Sequence, residues 1–77
     1  MAIDSLDVRP IPPVHKHQTI FAHWQATAVE DVLELVNDHD PLPLYYQFEA
    51  EQAGKFAWEY LERGPDRWRV QIRRLAP

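Results

Sequence analysis

The sequence predicts an α+β two-layer sandwich with the element order βαβαββ, a four-stranded mixed sheet and two helices on one of its faces. Three observations carry that expectation. His17, Ile20, Phe21 and Trp24 recur at the spacing of one helix face. Val32-Leu33-Glu34-Leu35-Val36 is an apolar run with too little polar alternation for a half-solvated strand, so it reads as a central one. The last third alternates with period two about Gly64-Pro65-Asp66, the pattern of an antiparallel hairpin. A right-handed first βαβ unit then places both helices on the same side of the sheet.

Each element has its own warrant. Ile3 to Val8 reads as the first strand, anchored by Ile3, Leu6 and Val8. Arg9-Pro10-Ile11-Pro12-Pro13 cannot hold regular structure, because each proline removes a donor and pushes the preceding residue toward extended backbone. Pro13 suits the first turn of a helix, where a missing N–H costs nothing, and the helix is predicted over about residues 13–25. Ala26 to Glu30 connects it to the second strand, Val32 to Val36. Asp40 followed by Pro41 makes an N-cap and first-turn pair. The second helix then runs to about Gln52, with Leu44, Tyr45 and Phe48 on one face and Gly54 just past its end. In the hairpin, Phe56, Trp58 and Tyr60 share an inward aromatic face with Trp68, Val70 and Ile72. On the other face acids such as Glu59 can pair with arginines across the strands, each exposed pair contributing little.

The 77 residues make a single domain over residues 1–77, with an ordered core from about 5 to 75. That is near the lower size at which a core stands without staples. Nine aromatics compensate, and Trp24, Tyr45, Phe48, Phe56, Trp58, Tyr60 and Trp68 are expected inside. There is no cysteine, which excludes a disulfide framework, a thiolate metal site and a thiol nucleophile. Met1-Ala2-Ile3-Asp4 has no basic n-region before an apolar core, and no apolar run approaches membrane-spanning length. A cytoplasmic protein without membrane contact is the expectation.

The net charge of −4 is unevenly spread: residues 1–62 hold eleven acidic and three basic residues, and residues 63–77 hold five arginines and one aspartate. Overall acidity argues against a general nucleic-acid binder, while the arginine stripe keeps a small footprint open. Catalysis is not expected. No serine or cysteine is set beside a base, and Gly54 and Gly64, the two glycines, form no phosphate-cradling loop. His39 between Asp38 and Asp40 has the ingredients of a general base, a constellation that chance supplies easily.

Leu6-Asp7-Val8-Arg9-Pro10, then His17, Asn37-Asp38-His39-Asp40-Pro41, Trp58-Glu59-Tyr60 and Gly64-Pro65 closely resemble an uncharacterised bacterial family, the domain of unknown function DUF2249. The resemblance runs from about Leu6 to Arg73, and the Asn-Asp-His-Asp-Pro run is its specific part. That family is in turn similar to the TusA-type sulfur carriers, which implies a TusA-like βαβαββ fold. Where those carriers have a first strand leading into a Cys-Pro segment, the corresponding stretch of this chain runs from Leu6 to Pro13, with proline at or next to the position of the cysteine. A persulfide carrier needs a thiolate, so the resemblance implies the fold, or an accessory that cannot carry sulfur itself. Members of the family are in some proteins joined to hemerythrin-like or cupin domains, which implies a metal or nitrogen-oxide setting.

The predicted fold brings the loops after the first two strands to one edge, where α/β sheets hold ligands. His17, His39 and His15 then approach one another, with Asp38 or Asp40 near. His17, His39 and Asp38 make a plausible first shell for a transition metal ion. The structural alternatives are a helix-capping Asp40, a turn closed by Asn37 and Asp38, and His17 half-buried on the stripe of Ile20, Phe21 and Trp24. His15 and His23 read as solvated. The leading expectation is a small non-catalytic binding or interaction domain using the His17/His39 edge, with another protein or domain as partner. The alternative is a protein- or RNA-contacting module using Arg67, Arg69, Arg73 and Arg74, and Arg9 and His15 are further candidate surface contacts.

Overall fold

Val32–Asn37 forms the strand around which the sheet assembles. It is flanked on one side by a parallel strand, Ile3–Asp7, and on the other by an antiparallel one, Trp68–Arg74. In the computed structural model, which describes residues 2–77, the elements are β1 (Ile3–Asp7), α1 (Pro13–Ala26), β2 (Val32–Asn37), α2 (Leu42–Glu51), β3 (Phe56–Arg63) and β4 (Trp68–Arg74). The strand order is β1-β2-β4-β3, so the sheet is mixed, as the sequence predicts, and β1 and β3 are its edges. The βαβαββ order and the central position of β2 both follow the sequence pattern.

One side of the sheet carries Leu33, Leu35, Val70 and Ile72, all at most 1% exposed, against Ile20, Trp24, Leu44 and Phe48 of the helices. Phe48 is the centre of this packing. Its ring stacks on Phe21 at 4.8 Å and meets Trp24, Phe56 and Trp58 edge-on at 5.1, 5.4 and 5.9 Å. Among the described residues the other side of the sheet has no covering layer, and it bears a polar ladder. Gln71 donates to Glu34 at 3.0 Å, and Arg69 bridges Glu34 and Glu62 at 3.8 and 3.2 Å.

The start of α2 differs from expectation. The helix begins at Leu42, with Pro43 in its first turn and Pro41 as N-cap, and the Pro41 carbonyl accepts the first helical bond from the Tyr45 N–H at 3.1 Å. Asp40 therefore stands one residue before the cap and makes no capping bond. The two prolines, neither able to donate, set the start without a side-chain cap.

The C-terminus of α1 is closed by a residue from the far end of the chain. Arg74 Nη1 donates to the Trp24 and Thr27 carbonyls at 2.9 and 3.1 Å, and its guanidinium lies 5.2 Å from the Trp24 ring centroid. A cation on the last carbonyls of a helix answers both unmade hydrogen bonds and the negative end of the dipole. Arg74 thus faces the helices, opposite to the arginine face in which the sequence reading placed it.

In the hairpin the register steps from Tyr60↔Val70 to Glu62↔Arg69, leaving Leu61 as an extra residue in β3. Such a bulge inverts the alternation beyond it. Glu62 turns to the polar face, and Arg63 turns to the aromatic face and sits over the Tyr60 ring at 4.2 Å. At the turn, Gly64 has φ +68°, and a Cβ there would lie 2.7 Å from Trp68 Nε1, so only glycine fits.

Candidate functional site

The loop after β1 and the corner after β2 open on the same edge of the sheet, as a parallel βαβ pair requires. His17 from α1 and His39 from the corner line one cavity of about 60 Å³ there, with Lys16, Asn37, Asp40 and Pro41 around them and Val8, Ile20, Leu35 and Leu44 beneath. Asn37 is the buried polar group of this crevice, 6% exposed. Its Oδ1 accepts the Asp38 N–H at 2.9 Å, which fixes the amide orientation, and its Nδ2, without a hydrogen-bond partner among the described residues, is open to solvent at the crevice.

The predicted site residues divide. His17 and His39 are brought together, but His17 is exposed rather than half-buried on the stripe of Ile20, Phe21 and Trp24. Asp38 does not line the crevice. It accepts from the neighbouring His39 ring at 2.7 Å, a bond that, with Lys16 nearby, holds its carboxyl below the usual range. No group of three or more His, Cys, Asp or Glu side chains able to hold a metal ion occurs among the described residues. His15 is exposed on the first turn of α1, outside the crevice, and His23 pairs with Asp4 at 2.7 Å. Arg9 folds back on Asp7 at 2.6 Å, and that charged hydrogen bond lowers the Asp7 pKa to about 2.

Asp40 turns toward the hairpin, where its Oδ1 accepts the Tyr60 hydroxyl at 2.8 Å. Burial raises the phenol above its ordinary value, and the bond to Asp40 raises it further. The Trp58 N–H, which approaches the same hydroxyl without an aligned hydrogen bond, acts in the opposite direction.

Tyr60 also belongs to a second opening that the sequence reading missed. Leu42, Tyr45 and Glu49 of α2, with Gly54 and Phe56, Trp58, Tyr60 and Arg63 of β3, line a cleft of about 450 Å³. The Tyr45 hydroxyl donates to Glu49 across its helical wall. Tyr45, Phe56, Trp58, Tyr60 and Trp68, expected in the core, are only half-buried. Trp24 and Phe48 are the aromatics that the core fully encloses. The legible signal was a mismatch of lengths. A ten-residue α2 is about 15 Å long, and an eight-residue β3 about 26 Å, so the helix cannot cover the whole aromatic face.

On the polar face, Arg67 and Arg69 are both engaged by Glu62, at 2.8 and 3.2 Å, and together they hold its carboxyl below the usual range. Among the described residues, Arg73 is the arginine of that face without an ion pair. Among the described residues no helix is long and apolar enough to cross a membrane.

A family model described as an uncharacterised conserved protein, DUF2249, matches residues 5–74. No curated protein and no solved structure matches the chain.

Proposed function

We propose that this chain, which belongs to the uncharacterised family DUF2249, is a non-catalytic binding domain that receives a carboxylate of a partner protein in the His17/His39 crevice. The observation that carries this reading is the Asn37 side-chain amide. Its Nδ2 lacks a partner among the described residues at a cavity whose other polar lining is Lys16, His17 and His39, which can donate, and the single carboxylate of Asp40. That amide N–H group opens on the crevice, where it can give its hydrogen bond to an acceptor group from outside in place of water. The first turn of α1 begins at the same edge and adds partial positive charge. Asp40 is the opposing charge, and its hydrogen bond from Tyr60 moderates it.

Size limits the guest. About 60 Å³ is room for a few waters, so the crevice suits a small terminal group. A protruding acidic side chain of another protein or domain fits that limit. A transition metal ion would find two imidazoles, and Asp38 is turned away to His39. The arginine face has less to recommend it as a nucleic-acid contact, since Glu62 and Glu34 answer Arg67 and Arg69. With no cysteine in the chain, a sulfur-accessory role would be limited to contact without persulfide transfer.

The test is a ¹H–¹⁵N NMR titration with a capped tripeptide whose central residue is glutamate. The Asn37 side-chain amide and the rings of His17 and His39 should shift together. His17→Gln with His39→Gln should remove the response while leaving the spectrum dispersed. A parallel titration with zinc, copper and ferrous iron supplies the contrary outcome. One equivalent of metal on both rings, with no response to the peptide, replaces the carboxylate reading with a metal site.

A further inference from the structure

Strand β3 is an outer strand of the sheet, and its outer backbone groups have no neighbouring strand. An unpaired edge is a template for another chain unless something blunts it. Here the edge runs beside the 450 Å³ aromatic cleft, whose strand wall is Phe56, Trp58, Tyr60 and Arg63. On the opposite side of the same strand lies Glu59, exposed and without an ion pair among the described residues. Up to the bulge at Leu61, β3 therefore offers three things together: free backbone, an aromatic cleft that also holds Glu49 to one side, and an unpaired carboxylate to the other.

We infer that β3 is a docking edge for an extended segment of a partner protein, added as a fifth strand with apolar side chains in the aromatic cleft and basic ones beside Glu59. Successive side chains of a strand point to opposite faces, so an alternating apolar and basic segment satisfies both at once. Main-chain bonds to β3 supply affinity, and the alternation supplies selectivity. Arg63, held over Tyr60 at the end of the cleft, suits a carboxylate closing that segment. A second copy of this chain is the less suitable occupant. Antiparallel pairing of β3 with itself near the strand centre sets the two Glu59 carboxylates opposite or diagonal to one another, which is unfavourable. The charge that discourages self-pairing is the one that selects a basic partner.

The probe is an eight-residue peptide, the length of β3, alternating leucine and lysine with an acetylated N-terminus and a free carboxylate. Titrated into ¹⁵N-labelled protein, it should shift the β3 amides and the Trp58 indole N–H and slow hydrogen exchange along β3. Glu59→Lys, an exposed change outside the core, should weaken that peptide about fivefold, since an attractive pair becomes a repulsive one. The same variant should gain affinity for a leucine–glutamate peptide. Three results overturn the inference: binding indifferent to Glu59→Lys, full binding by a peptide with N-methylated backbone, or dimers of the free chain paired through β3. None of these readouts depends on His17, Asn37 or His39, so failure here and failure of the crevice reading are distinguishable.

Discussion

Replacing Tyr60 by phenylalanine separates two accounts of Asp40. As a helix cap, Asp40 would act through the N–H groups of α2 and be indifferent to the hairpin. In the structure it accepts the Tyr60 hydroxyl at 2.8 Å in a half-buried setting, while α2 starts from the Pro41 carbonyl. A hydrogen bond to a carboxylate is worth about 1.5–3 kcal/mol, and partial access of water to both groups brings the expected loss to about 1–2 kcal/mol. For a chain of this size, each kcal/mol shifts Tm by about 4–8 °C.

Urea denaturation of four proteins measures the coupling: the parent, Tyr60→Phe, Asp40→Ser and the double variant. Serine keeps capping ability but falls short of Tyr60, so the two single losses should be similar and the double loss little greater than either. The expected coupling is about 1 kcal/mol, within the range for groups in direct contact. Additive losses would refute the bond. So would an Asp40→Ser protein as stable as the parent, since only the capping role survives that change. The m-value should stay constant, because no surface is newly exposed.

Arg74→Ala should destabilise by about 2–3 kcal/mol, through two charged hydrogen bonds to the end of α1 and the contact with Trp24. Thermal unfolding checks this, and a loss below about 0.5 kcal/mol would return Arg74 to the class of surface arginines. The acid limb of stability has a definite sign. Asp7, Asp38 and Glu62 all have folded pKa values below their ordinary ones, so the stability they confer is complete above the ordinary carboxylate values and is lost as pH falls. For Asp7 the window runs from its ordinary 3.8 down to about 2. Exposure of the pair to solvent keeps its share small. Arg9→Ala should flatten that limb in pH-dependent denaturation, and an unchanged slope would dismiss the pair.

The fold was legible because its signals were redundant. The run from Val32 to Val36, the stripe through Ile20 and Trp24 and the alternation on both sides of Gly64 each involve several residues. One exception in any of them changes little. The features that were not legible depend on a single residue. One bulge at Leu61 reverses the faces of Glu62 and Arg63, and no composition rule announces it. Asp-Pro reads as a cap by local preference, yet Pro43 shifts the helix start by one residue and a tyrosine twenty positions away takes the carboxylate. Arg74 looks like its neighbours in sequence and differs from Arg73 only in the face on which its strand position falls. Of the candidate site, the meeting of His17 and His39 was legible from the parallel pairing. The Asn37 amide was not, since its importance lies in a missing partner.

The two openings are divided by one turn of backbone. Asp40, Pro41, Pro43 and Leu44 wall the His17/His39 crevice, while Leu42 and Tyr45 wall the aromatic cleft. Helical geometry explains the division, because residues three and four apart share a face. Leu42, Tyr45 and Glu49 look toward β3, and Leu44 and Phe48 toward the core. Two prolines in that turn leave fewer backbone N–H groups in need of partners where it stands between the two openings. The bond from Tyr60 to Asp40 then ties the turn to β3, the strand that forms the far wall of the cleft. The sequence stretch from Asn37 to Pro41 is therefore best understood as the common wall of two surfaces, and its two prolines and its aspartate are explained by that position.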